Sequence, residues 1–498
     1  MDNGFLACSA IIHSVNAEQK DDVMNRREFM KAGIGGAVAV AASSLTMKAA
    51  LSAKPTTQAK PNIVFILADD CTYNVLGCYG GKTVKTPNID RLAAEGLTLN
   101  RAYAAMAMCA PFRAELYTGL YPARNGVTWN HSATRPGTKS VSQYLEGLGY
   151  RVGLTGKRHF TGATNMLKGF PVGEKVRNFV KADPNQPFCL FVCSKNPHAP
   201  WSTGDASQFD AGKIELPPAV HDNPRTREAM TRYLAEVGDL DREVGEVLKM
   251  LADTGLTEDT LVMFSSEQGW AFGFAKWTNW NLGIHTAMIA RWPGRIKPGT
   301  RTDAMVQIAD VTPTFIELAG GDPARYNLDG SSFVKVLTGE ARTHRKYIYG
   351  MHNNVPEGEP YPIRSVRDSK YHYLINLTPD RAYHEKHVMT ATSRLVWWPA
   401  LEDAAKSGRD SAKAMMARFR NRPAEELYRT DEDPYELNNL AGDPSYAEVK
   451  ATLRAELKLW MAKQKDPGAA LDTRKAYDAN AQAHKQARKS AGKNGKKL

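Results

Sequence analysis

The sequence predicts an α/β fold: a large, mostly parallel sheet sandwiched by helices, followed by a smaller C-terminal α+β domain with an antiparallel sheet. Three observations lead there. Short, continuous apolar runs of strand length recur through the first part of the chain, as expected for strands buried on both faces. Amphipathic helical stretches separate several of them, the alternation that builds parallel sheets. From about Arg345 the pattern changes to short strand-like segments close together.

Asn62–Leu67 is the first apolar run, and Tyr150–Thr155, Pro187–Cys193, Thr260–Phe264 and Thr286–Arg291 follow it. Helical spacing of apolar residues marks Ile89–Glu95, Val141–Leu148 and Met230–Leu251. What comes just after the strands is informative. Asp69 and Asp70 follow the first, Lys157 and His159 the second, His198 the third, Glu267 and Gln268 the fourth. Charged and metal-capable residues thus collect past the carboxyl ends of four strands, the rim where open α/β sheets bind ligands. Further on, Tyr347–Gly350, Pro362–Val366, Tyr371–Leu377 and Glu426–Tyr428 read as short strands and Ala447–Ala462 as a helix. The expected organisation is a leader and linker over residues 1–60, a catalytic domain over 61–344, an antiparallel-sheet subdomain over 345–465, and a basic, disordered tail over 466–498.

Composition sets limits. With 498 residues, 42% hydrophobic and 24% charged, the chain is neither collagen-like nor mainly disordered. The net charge of +12 suggests nucleic acid, but its placement argues against such a partner: residues 474–498 alone carry eight Lys/Arg and one acid. Six cysteines are too few for a disulfide scaffold of this size. Cys189 and Cys193 read as buried thiols on one face of a strand, whereas Cys71 and Cys78 could pair across a short loop.

The N-terminal region carries Asn25-Arg26-Arg27-Glu28-Phe29-Met30-Lys31 ahead of a Gly/Ala/Val run from Ala32 to Leu45. Paired arginines before a weakly apolar segment resemble a twin-arginine signal, which implies the twin-arginine export machinery as a partner and a periplasmic or secreted location. A mature chain beginning near Lys54 would keep no transmembrane anchor, since no apolar run after Leu51 approaches the roughly 20 residues of a membrane span.

Cys109-Ala110-Pro111-Phe112-Arg113 opens the segment that runs to Tyr121. Pro111 suits a first helical turn, so Cys109 is expected at a helix N-terminus, where the dipole favours an anionic nucleophile. This Cys-x-Pro-x-Arg pattern, extended by Ala114-Glu115-Leu116-Tyr117-Thr118-Gly119-Leu120-Tyr121-Pro122, resembles the signature of the sulfatase family. Similar matches are Ala68-Asp69-Asp70, Thr86-Pro87-Asn88-Ile89-Asp90-Arg91-Leu92, Thr155-Gly156-Lys157-Arg158-His159, Pro197-His198-Ala199-Pro200, Lys276-Trp277-Thr278 and Arg291-Trp292-Pro293-Gly294, in that order, across about Pro61 to Met461.

The resemblance implies an alkaline-phosphatase-like superfold with a mixed sheet and a sulfuric ester hydrolase. It implies that Cys109 is oxidised by a separate formylglycine-generating enzyme to an aldehyde, whose hydrate attacks sulfur and later expels sulfate. Asp69, Asp70, Glu267 and Gln268 would supply oxygen ligands for a hard divalent ion, calcium first and magnesium second. Arg113, Lys157 and Lys276 would hold the nucleophile and the sulfate oxygens. His198 would be the general acid for the leaving oxygen, and His159 would help deprotonate the hydrate.

Two departures stand out from the family pattern. Glu267-Gln268 replaces the commoner Asp followed by Asn or His, lengthening each arm by a methylene. His285 stands where relatives often have arginine, and Arg158-His159-Phe160 replaces Trp-His-Leu; the Gly156-Lys157-Arg158-His159 form looks closer to the sulfamidase-like branch and points toward sulfated amino sugars. The expected substrate is a sulfated oligosaccharide or polysaccharide. Trp129, His131, Arg135, Trp201, Trp280 and His352 are candidates to line its pocket, each with packing as the competing explanation. The alternatives are a formylglycine-dependent phosphodiesterase or phosphonate monoester hydrolase, and a non-catalytic glycan-binding pseudosulfatase.

Overall fold

A computed structural model describes residues 60–159, 161, 169–170, 174–390 and 396–494. The Arg26-Arg27 pair that reads as an export signal, and Phe160, lie outside the described residues.

Among the described residues the large sheet has nine strands: β1 (Asn62–Ala68), β2 (Leu97–Tyr103), β3 (Arg151–Gly156), β4 (Gly169–Phe170), β5 (Phe188–Cys193), β6 (Thr260–Ser266), β7 (His285–Arg291), β8 (Thr300–Thr302) and β9 (Val306–Gln307). Their spatial order is β4-β3-β5-β1-β6-β7-β2-β8, with β9 also pairing with β2. The strands from β4 to β6 are parallel, whereas β7 runs antiparallel to both β6 and β2. Burial on both faces explains the unbroken apolar runs. Along β1, Val64 and Ile66 enter one core with the helix Pro224–Asp253, while Ile63, Phe65 and Leu67 enter the other with the helix Cys109–Thr118. The 30-residue helix Pro224–Asp253 starts where Asn223 accepts the Thr226 N–H and Pro224 occupies the first turn.

A second sheet, β10 (Ile348–His352), β11 (Ile363–Arg367), β12 (Tyr371–Asn376) and β13 (Glu425–Arg429), is antiparallel throughout, and the helix Ala447–Gln464 packs on it. From Lys60 on, the chain is one compact unit. At the junction Arg345 donates from Nε to Asp310 Oδ2 at 2.6 Å, and Asp310 also accepts the backbone N–H groups of Gln307 and Ser331 at 2.9 and 2.8 Å.

Cys71 and Cys78, whose pairing the sequence left open, are both free thiols. One sequence expectation is corrected. The segment after Asp466 is not a disordered tail over residues 466–494. Asp466 pairs with Arg364, and buried Asp472 accepts the N–H groups of Asn354, Val355 and Tyr361 at 2.9, 2.8 and 2.7 Å. A helix, Arg474–Asn494, follows. Its low complexity hid an anchor made by one carboxylate and three distant amides. Among the described residues no helix is long and apolar enough to cross a membrane.

Candidate active site

Four β-strand ends and one helix start build the site. Cys109 is the first residue of the helix Cys109–Thr118, all ten residues of which are buried. Gly119, at φ 66°, ends that helix in the left-handed conformation that glycine tolerates. Asp69 and Asp70 leave β1, and Asp70 sits at φ 58°, a conformation that aspartate visits more readily than most residues. Gly156 ends β3 at φ 85° so close to the Cys193 carbonyl that a Cβ would meet its oxygen at 1.9 Å; this close approach delivers Lys157 to the rim.

The side chains converge on the Cys109 sulfur. Asp69 Oδ1 lies 3.5 Å from Sγ, Asp70 Oδ1 3.9 Å, and the Gln268 amide nitrogen 3.3 Å. Lys157 pairs with Asp69, and Lys276 Nζ donates to Asp70 Oδ2 at 2.7 Å. Arg113 pairs with Glu267 and donates to the Lys157 carbonyl, both side chains being fully buried. His198 Nδ1 meets the Ala199 carbonyl oxygen at 2.6 Å, the contact of an Nδ1–H donor, and this leaves Nε2 facing the site 3.7 Å from Asp70 Oδ2. Asp69, Asp70, Cys109 and His198 offer atoms that all lie within 4.8 Å of one another.

The charges act together. Burial opposes ionisation of the Cys109 thiol, yet Lys157, Lys276 and hydrogen bonds from His159 and His198 bring it well below its ordinary range. Burial likewise opposes charge on Lys157 and Lys276, but the surrounding anions hold both above the usual lysine range. For His198, Lys276 pushes the pKa down, while Asp70 and Cys109 more than offset it and leave it raised.

All ten sequence-predicted site residues therefore lie in or against one basin. The pocket candidates divide. Trp201 stacks on Phe272 at 4.9 Å, Trp280 donates to Glu426 under the Arg422 guanidinium, and buried His352 has its pKa pushed down to about 3 by desolvation; these belong to the core. Arg135 donates to the Arg124 and Ala123 carbonyls. Trp129 and His131 lie beside the site, His131 with its ring 5.5 Å from that of His159. His285 is stacked on Tyr73 at 3.8 Å, bonded to the Asn100 carbonyl and pushed down to about 3 by burial, so a neutral packed ring occupies that position. Sequence reading missed Asn130, whose Oδ1 accepts the Ala110 N–H at 3.0 Å next to Cys109, and it missed the C-terminal helix entirely. No local pattern marks Asn130.

The sulfatase family model matches residues 61–171 and 171–321. The chain belongs to the sulfatase family. It is a sulfuric ester hydrolase with the mixed α/β sheet and antiparallel subdomain described above. A second model, of the N-sulphoglucosamine sulphohydrolase C-terminal region, matches residues 266–387. An ulvan-active sulfatase of Formosa agariphila is 34% identical over 427 residues, covering 82% of this chain and 81% of that protein. Human N-sulphoglucosamine sulphohydrolase is 26% identical over 468 residues, covering 82% and 92%. A structure solved in complex with its substrate D-glucosamine-2-N,6-O-disulfate superposes with a TM-score of 0.61 at 20% identity, covering 82% of this chain and 99% of that one, a likeness of fold.

Proposed function

We propose that this sulfatase removes sulfate from sulfated carbohydrates, with sulfamates as a related class, outside the cytoplasm. The carrying observation is the basin itself: a residue at a helix N-terminus, flanked by one buried and one half-buried ammonium group and two carboxylates, with an imidazole Nε2 beside them. The ulvan-active and N-sulphoglucosamine relatives support a sugar substrate, and the match over residues 266–387 supports an amino sugar in particular. The paired arginines near the N-terminus support export by the twin-arginine machinery.

The donor set suits a hard divalent ion such as calcium. Asp69 and Asp70 offer carboxylate oxygens, and the buried Gln268 amide oxygen has no hydrogen-bond partner among the described residues. Asp69, Asp70, Gln268 and Glu267 would hold the ion, which would supply charge neutralisation for the sulfate oxygens. Formylglycine at position 109, made by a maturation enzyme, would supply the oxygen nucleophile and the route to sulfate release. The remaining work falls to this chain's own side chains. Lys157 and Lys276 present fixed positive charge to either side of position 109, where negative charge spreads in the transition state. Arg113 holds Glu267 and the Lys157 backbone in place. His198 Nε2, with Nδ1 tied to Ala199, is oriented to give a proton to the leaving sugar oxygen, and His159 is placed to take one from the nucleophile.

The test is sulfate release from a panel of sulfated oligosaccharides by protein co-produced with a formylglycine-generating enzyme. Release that disappears in Cys109→Ala and with chelator is expected. Phosphate release from phosphodiesters without sulfate release, or silence from protein whose Cys109 peptide has the aldehyde mass, would overturn the reading.

A further inference from the structure

The helix Arg474–Asn494 carries six Lys/Arg against one acid, yet it is docked rather than trailing. Its root is fixed by Asp472, which accepts three backbone N–H groups at no more than 2.9 Å. Ala476, Tyr477, Asn480, Ala481 and His484 recur at helical spacing as its half-buried face, while Arg474, Lys475 and Lys485 are exposed.

That half-buried face meets the site. The Tyr477 ring lies 4.5 Å from that of Trp129. His484 Nε2 is 3.3 Å from Thr161 Oγ1, and its ring is 6.3 Å from that of His131. His131 in turn neighbours His159, while Asn130 between Trp129 and His131 is bonded to the backbone next to Cys109. One continuous surface therefore runs from the nucleophile position through His159 and His131 to the basic helix.

We propose that the C-terminal helix is a wall of the substrate site and sets its preference for saccharides carrying more than one anionic group. Resting on the sulfated-carbohydrate reading, this inference adds where the rest of the saccharide binds. Half-buried Tyr477, backed by buried Trp129, offers a ring to a sugar, and exposed Lys475 and Lys485 offer charge to sulfates or carboxylates beyond the scissile one. From Tyr477 to Lys485 the helix advances about 12 Å, so it extends beyond the unit that bears the reacting ester.

The experiment compares the panel saccharide that the full chain hydrolyses fastest with 4-nitrophenyl sulfate, using protein carrying formylglycine. Three variants are measured: removal of residues 474–498, Tyr477→Ala, and the exposed charge reversal Lys485→Glu, which leaves packing intact should the truncation fail to fold. Removing the helix is expected to lower the saccharide-to-aryl ratio of kcat/KM about ten-fold or more, chiefly through the saccharide KM, and to weaken the rise of that KM with salt. Lys485→Glu should shift the same ratio in the same direction, by a few-fold. An unchanged ratio in all variants, or equal falls in kcat for both substrates at constant KM, overturns the proposal. A full chain that cleaves the aryl ester and no saccharide refutes the carbohydrate reading itself, and the inference falls with it.

Discussion

Replacing Lys276 by methionine removes one charge from the basin while keeping most of the side-chain volume. The lysine is held firmly. Its backbone N–H donates to the Trp270 carbonyl at 3.1 Å, and the next residue, Trp277, donates to the Ala107 carbonyl at 3.0 Å, two residues before Cys109. Its side chain is only 7% exposed, and Nζ lies 2.7 Å from Asp70 Oδ2. A preorganised donor of this kind, aimed at developing negative charge in a site shielded from water, is worth about 100- to 1,000-fold in kcat, or ~2.7–4 kcal/mol. The assay is turnover of 4-nitrophenyl sulfate by formylglycine-bearing Lys276→Met under saturating calcium, with kcat and KM separated and thermal melting run in parallel. A fall in kcat of that size in a folded variant is expected. A folded variant within about three-fold of the parent would refute the role argued for Lys276, since a surface-like lysine moves rates that little.

Chelation should abolish turnover and lower the melting temperature, and calcium should restore both; Asp69→Asn should raise the calcium concentration needed for half-recovery. His198→Ala should cost about 100-fold or more on sugar sulfates but much less on 4-nitrophenyl sulfate, whose phenolate leaves without a proton, so equal losses on the two would remove His198 as the acid. At the junction of the two sheets, burial would raise the Asp310 carboxyl, but Arg345 and His344 outweigh it and hold the pKa below the usual range. Its folded-state pKa being depressed, the stabilisation is present above the ordinary aspartate value of about 3.9 and is lost as pH falls below it. Asp310→Ala, which strands a largely buried guanidinium, should therefore cost about 3 kcal/mol in urea unfolding at pH 7, with the gap to the parent narrowing in acid. A constant gap down to pH 2 would contradict the assignment.

Much of this architecture was legible because local pattern carries it. Asn62–Leu67, Pro187–Cys193 and Thr260–Phe264 are apolar runs since both faces of the central strands are covered, and Pro111 marks the start of a helix by its backbone preference alone. β2 escaped detection because half-buried Asn100 and Arg101 interrupt its run at a register shift against β7. Trp280 and His352 looked like pocket residues and lie in the core because aromatic and imidazole side chains suit either place, and only their neighbours decide.

By itself the sequence singled out candidate residues for the chemistry and showed that most of them follow strand ends, properties written in side-chain type and in spacing over a few residues. The tertiary structure alone decided that Glu267 faces Arg113 across 154 positions, that Gln268 reaches Asp70, and that a basic, low-complexity C-terminus folds against the rim. The physical reason is that propensity and periodicity act between near neighbours along the chain. Ion pairing, ring packing and amide capture act between whichever groups the closed sheet brings together, and a buried carboxylate such as Asp472 helps anchor a segment whose composition reads as a loose tail.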